Sequence, residues 1–172
     1  MDTTLTRGIF ETELGGQIAQ YIMEKHGDQK YGEMPYTYHL FGVYQMSLTL
    51  FGAGCIVTQM GALTHDVIED TDATTEELAE KTNMETAMQV DNVSKRAKGV
   101  ETEKEYYARV CSNLISWKIK CADVMFNMSH SKYSNHIRYA NYMRLMNELI
   151  KHGIECGYDT HRLIAMYELI VG

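Results

Sequence analysis

The chain has 172 residues and a formal net charge of −7, with 16 Lys and Arg against 23 Asp and Glu. That balance argues against a general nucleic-acid binder, which carries a basic face. No apolar run approaches the roughly 20 residues needed to span a bilayer, and Met1 to Phe10 holds no hydrophobic leader. The length fits one domain, 1–172, able to bury a core. The expected setting is cytoplasmic, with a small molecule rather than nucleic acid or membrane as partner. Oligomeric state stays open. The single proline, Pro35, suits an all-α fold, because proline breaks helix interiors.

Residues 8–26 space Ile9, Phe10, Leu14, Ile18, Tyr21 and Ile22 as one face of an amphipathic helix, stopped by Gly27. His26, at its C-terminal end, is expected to interact with the helix dipole rather than with a site. Asp28 to Pro35 reads as a polar loop, punctuated by Gly32 and Pro35. A second helix is expected over 37–50 and, after Gly52-Ala53-Gly54, a third over 55–70. Within that third helix His65, Asp66, Glu69 and Asp70 would stack as the pairs His65/Glu69 and Asp66/Asp70. Imidazole and carboxylate are the ligand types of Mn, Fe, Zn and Mg. A structural helix gains little from three crowded carboxylates, whereas a metal site that activates water uses them.

Thr74-Thr75-Glu76-Glu77 is a capped helix start, running to Lys81. Another helix covers 85–95. Lys95, Arg96 and Lys98 form a basic patch, read as a solvated helix end or as a greeting for phosphates. A helix over 103–116 leads to an apolar–polar segment, 117–128, that carries Asp123. A buried carboxylate is costly unless paired or metal-bound, so Asp123 is informative by itself. Asn127, one turn on, shares its face. Helices over 138–151 and 160–171 complete the chain. Lys132, Arg138 and Arg144 are candidate phosphate contacts. His130, His136, His152 and His161 are expected at the surface. The tyrosine pairs 106/107 and 139/142 are expected to pack. Cys55, Cys111, Cys121 and Cys156 form no CxxC pair and read as free thiols.

Three blocks stand in order: Lys30-x-Gly-x-x-Pro-Tyr-x-x-His39, His65-Asp66-Val-Ile-Glu69-Asp70-Thr71, and Cys121-Ala-Asp123-x-x-x-Asn127-Met128. Together they resemble the HD superfamily of metal-dependent phosphohydrolases. The closer resemblance is to the hydrolase domains of RelA/SpoT proteins and the stand-alone small alarmone hydrolases. It implies an HD-type helical bundle whose His39, His65, Asp66 and Asp123 hold one divalent cation, usually Mn2+. It also implies removal of the 3′-pyrophosphate from a guanosine alarmone such as (p)ppGpp, with Glu69 and Asp70 preparing the attacking water. Asn127 would contact the nucleotide, and so would Lys30 and Tyr31. The family carries consecutive basic residues, often Arg-Lys, where this chain has Lys30-Tyr31. Lysine is a point charge without the flat guanidinium, and Tyr31 offers an aromatic surface instead. Two other readings stay open. One is a different HD phosphohydrolase, a 5′-nucleotidase or dNTP hydrolase. The other is a non-catalytic nucleotide-binding module.

Overall fold

The computed structural model describes residues 8–172. The absence of a leader, read from Met1 to Phe10, therefore lies largely outside the described residues. The fold is all-α. A 3₁₀ turn, Ile9–Glu11, precedes α1 (Glu13–His26), α2 (Thr37–Phe51), α3 (Ile56–Thr64) and α4 (Val67–Asp70). Then follow α5 (Thr75–Lys81), α6 (Met84–Val93), α7 (Glu103–Val110), α8 (Leu114–Ser131), α9 (His136–Glu155) and α10 (His161–Val171). Among the described residues no helix is long and apolar enough to cross a membrane.

Helix starts follow the capping residues. Thr12, Thr74, Asn83, Asn113 and Asn135 each accept a backbone N–H two or three residues on. At α7, Thr102 and Glu105 cap one another reciprocally. Gly27 ends α1 with φ 48°, a conformation that a side chain would strain.

The loop expected over 28–35 contains a small antiparallel hairpin. Its strands β1 (Lys30–Tyr31) and β2 (Met34–Pro35) pair Lys30 with Pro35 and Tyr31 with Met34. Gly32, with φ 61°, supplies the left-handed turn residue. The sequence hid this because two-residue strands are too short to show alternation.

Helix α8 is the central element. Trp117, Ile119, Cys121, Ala122, Val124, Met125 and Met128 are all fully buried, so the helix is apolar around nearly its whole girth. It packs against α2, α3 and α9. The Trp117 indole N–H donates to the Leu149 carbonyl on α9, at 2.9 Å. A second apolar cluster, built on Ile18, Ile22, Leu40, Tyr44, Met60 and Leu63, joins α1, α2 and α3. Helix α2 contributes to both clusters, with Val43 and Leu50 in one and Leu40 and Tyr44 in the other. Arg109 ties the start of the 94–101 segment down. Its guanidinium donates to the carbonyls of Asp91, Asn92 and Ser94 and pairs with Glu101.

Two expected helices are interrupted. The helix over 103–116 breaks between Val110 and Leu114, where Asn113 caps a fresh start. The helix over 55–70 breaks at His65 and Asp66. The His65 ring turns back to bond the Ala62 carbonyl through Nδ1 (2.9 Å), and Asp66 adopts φ −100°, ψ −3°. No glycine or proline marks that break in the sequence.

Candidate metal centre

The break gives the site its geometry. A continuous helix would point consecutive side chains about 100° apart. With α3 ended, His65 and Asp66 both face His39, which projects from the first turn of α2. His65 Nε2 lies 3.1 Å from His39 Nε2. Asp66 Oδ2 is 3.0 Å from His65 Nε2 and 3.2 Å from His39 Nε2. Asp123, brought in by α8, places Oδ1 3.5 Å from His39 Nε2 and 3.7 Å from His65 Nε2. His39, His65 and Asp123 are buried, and each offers one ligand atom within 4.8 Å of the others. The four expected ligands therefore converge from three places in the chain.

The donor set fits a divalent cation. The hydrogen bond from Nδ1 to Ala62 leaves Nε2 of His65 as the atom facing the centre. His39 Nε2 faces the same point, and its buried Nδ1 has no hydrogen-bond partner among the described residues. Two imidazole nitrogens and two carboxylates around one point repel unless a proton or a cation sits among them. Without a cation, the proton falls on His65. Burial opposes its charge, but Asp66 and Asp123 outweigh burial and push the imidazole up to about 10. Burial likewise favours neutral carboxyls at Asp66 and Asp123. His65 with His39 in the first case, and Lys120 with His65 in the second, hold both below the usual carboxylate range.

Lys120 is a site residue that the sequence reading passed over. Its ammonium is buried and donates to Asp123 Oδ2 at 2.7 Å. Burial works against the ammonium, yet Asp123 and Tyr106 keep its pKa well above normal. Its signal was its place three residues before Asp123, on the same helical face.

Tyr36 was also missed. It lies within the first block, three residues before His39. Its hydroxyl stands 2.7 Å from both Asp66 Oδ2 and Asp70 Oδ2. Asp66 and Asp70, expected to stack directly on one helix, are bridged instead by the tyrosine hydroxyl. The other expected pair does not form. Glu69 turns from His65 and accepts from the backbone N–H of Lys95 (2.8 Å) and from its ammonium (3.3 Å).

A cavity of about 420 Å³ opens onto the centre. Its wall includes Lys30, Tyr31, Tyr36, Glu69, Asp70, Lys95, Lys120, Asn127, Arg138 and Tyr142. Tyr31 stacks on His39, with ring centroids 4.9 Å apart and planes 8° apart, and its hydroxyl donates to Asn127 Oδ1 at 2.9 Å. The Asn127 amide donates in turn to Asp123. Both ends of Asn127 are therefore engaged in holding Asp123 and Tyr31.

Of the three candidate phosphate contacts, only Arg138 lines this cavity. Lys132 donates to the Ile170 carbonyl, and Arg144 pairs with Glu103. In the basic patch Lys95 reaches the cavity while Arg96 pairs with Asp91. The tyrosines expected to pack do so: Tyr106 is buried and bonds the Val93 carbonyl, and Tyr107, Tyr139 and Tyr142 pack half-buried against the same core, Tyr107 and Tyr142 also lining the cavity. His130 is exposed, as expected, and its Nε2 lies 2.9 Å from the Tyr38 hydroxyl. His26 departs from its expected role at a helix end. It is buried, Nδ1 is 2.8 Å from Gln29 Oε1, and burial lowers its pKa, so it is not a dipole-pairing cation. The cysteines are free thiols.

Comparison of the chain with protein-family models finds no match, and comparison with curated proteins finds none.

Proposed function

We propose that the protein is a metal-dependent phosphohydrolase of the HD type that removes the 3′-pyrophosphate from a guanosine alarmone, (p)ppGpp, or from a close purine analogue. One observation carries the reading. Two imidazoles and two carboxylates converge on the floor of a cavity whose walls hold both a spare carboxylate and several cations.

His39, His65, Asp66 and Asp123 would hold the cation, with Mn2+ the expected ion. When bound, such a cation polarises a phosphoryl oxygen and acidifies a water. Asp70 would take the proton of that water, a role supported by its tie to Asp66 through one hydroxyl. Glu69 is committed to Lys95, so its part is to fix Lys95 at the cavity wall. Lys30, Lys95 and Arg138 supply positive charge for phosphate oxygens. Asn127 orients Asp123, and its contact with nucleotide would require it to release Tyr31.

A second groove supports a nucleotide over inorganic pyrophosphate. It shares Tyr31, Gly32 and Arg138 with the main cavity and is lined further by Tyr38 and His130, whose rings give a base a face to stack on.

The test is direct. Purified protein with Mn2+ is offered ppGpp, pppGpp, ppApp, NADPH and dNTPs, and products are resolved by chromatography. Pyrophosphate from the 3′ side supports the alarmone reading. Inorganic phosphate or triphosphate assigns another HD reaction, and tight ppGpp binding without turnover assigns a binding module.

A further inference from the structure

The Tyr36 phenol is shared between two carboxylates, and it has one proton to give. Its oxygen lies 2.7 Å from Asp66 Oδ2 and 2.7 Å from Asp70 Oδ2. A phenol donates one hydrogen bond at full strength, so the two acceptors compete. The ring itself is held fast. It stacks on His26, with centroids 4.7 Å apart and planes 15° apart, and its backbone N–H donates to the Gln29 carbonyl at 3.0 Å. The Gln29 side chain completes the brace. Nε2 donates to the Asp70 carbonyl at 2.7 Å, while Oε1 sits 2.8 Å from His26 Nδ1. Gln29 thus grips the backbone of Asp70 and the ring carrier of Tyr36 together. Helix α4 has four residues, and its hold on Asp70 is the backbone bond from the Asp70 N–H to the Asp66 carbonyl at 2.8 Å, which leaves the carboxylate to be set by Tyr36.

We infer that Tyr36 is a positioning residue that aims the Asp70 carboxylate at the attacking water, and that a cation at the centre would decide which carboxylate accepts its hydrogen bond. Asp66 Oδ2 is the oxygen nearest both imidazoles. A cation held there would compete for the oxygen that accepts from Tyr36, which would leave the hydroxyl to Asp70. One Asp70 oxygen is then fixed and the other is free for water. The inference rests on the phosphohydrolase reading.

The experiment uses Tyr36→Phe, which keeps the stacked ring and removes one oxygen. Crystal structures of the Mn2+-loaded protein and variant are combined with Mn2+ calorimetry and steady-state kinetics on the nucleotide found in the screen above. In the loaded protein the hydroxyl stays within about 3 Å of Asp70 and leaves Asp66. In the variant the Asp70 carboxylate turns away, kcat falls about ten- to a hundredfold, and KM and Mn2+ affinity change little, in line with losses on removing a supporting partner. Gln29→Ala gives the same kcat loss in smaller measure. A tenfold loss of Mn2+ affinity with kcat intact at saturating metal would assign the hydroxyl to Asp66 and overturn the inference. So would an Asp70 carboxylate that keeps its place in the variant. If no nucleotide is turned over, the phosphohydrolase reading fails, and the two crystal structures still decide the role of Tyr36.

Discussion

Replacing Asp123 by Ala removes more than a metal ligand. The Lys120 ammonium is buried, and Asp123 is its ion-pair partner among the described residues, at 2.7 Å. Its next support is the Tyr106 ring, with the ammonium 5.8 Å from the centroid. Breaking a buried pair from one side leaves a charge without compensation and costs about 3–5 kcal/mol. For a protein of this size each kcal/mol moves the Tm by about 2–4 °C, so the variant melts about 6–20 °C below the parent. The double variant Asp123→Leu with Lys120→Met removes both charges and should recover most of that loss, because a buried pair exchanged for apolar groups is often neutral. The assay is thermal unfolding in chelator, so that metal binding does not enter the comparison. An Asp123→Ala protein that melts with the parent would refute the argument. A double variant no more stable than the single one would refute it equally.

Asp66→Ala should abolish pyrophosphate release while circular dichroism still reports a helical protein, since Asp66 lies at a helix break and outside the apolar clusters. Mn2+ at a hundred times its dissociation constant should stabilise the protein by about 2.7 kcal/mol, and His39→Ala should erase that shift in a melting scan. The chelated protein should lose stability as pH rises. The His65 pKa is raised in the fold from the usual 6.5 to about 10, so its contribution is full below pH 6.5 and is lost as pH passes through 10. Mn2+ affinity, followed by calorimetry, should climb over the same interval because the ion must displace that proton. Gly42→Ala and Gly16→Ala should move Tm in opposite directions. A methyl at Gly42 overlaps the Phe126 ring that packs beside His39, an overpacking cost of about 1–3 kcal/mol. A methyl at Gly16 meets nothing and relieves a helical glycine, worth about 1 kcal/mol.

The helices were legible because their signals are local. Thr74 announces a start and Gly27 a stop whatever surrounds them, whereas apolar spacing alone put the other two starts at 8 and 138 and missed the caps at Thr12 and Asn135. The convergence of His39, His65, Asp66 and Asp123 was legible only as a joint pattern, since no one of those residues declares itself a ligand. What stayed hidden depends on tertiary contacts. The break at His65 is fixed by a side chain reaching back to Ala62 and by the neighbours it then faces, and no helix-breaking residue marks it. Glu69 carries the same chemistry as Asp70, yet the distant Lys95 claims it. Tyr36 reads as one of twelve tyrosines until two carboxylates are seen to share its hydroxyl.

Under the proposed function, formal charge around the cavity would set an order of binding. Lys30, Lys95, Lys120 and Arg138 face Asp66, Glu69, Asp70 and Asp123, so its wall carries as many positive as negative side chains. Under the proposed function, a polyphosphate approaching before the metal would meet only the one net positive charge that the proton on His65 adds. A dication taking the place of that proton would raise the chamber from plus one to plus two. Under the proposed function the ion would act as an admission ticket as well as a reagent, boarding before the anion.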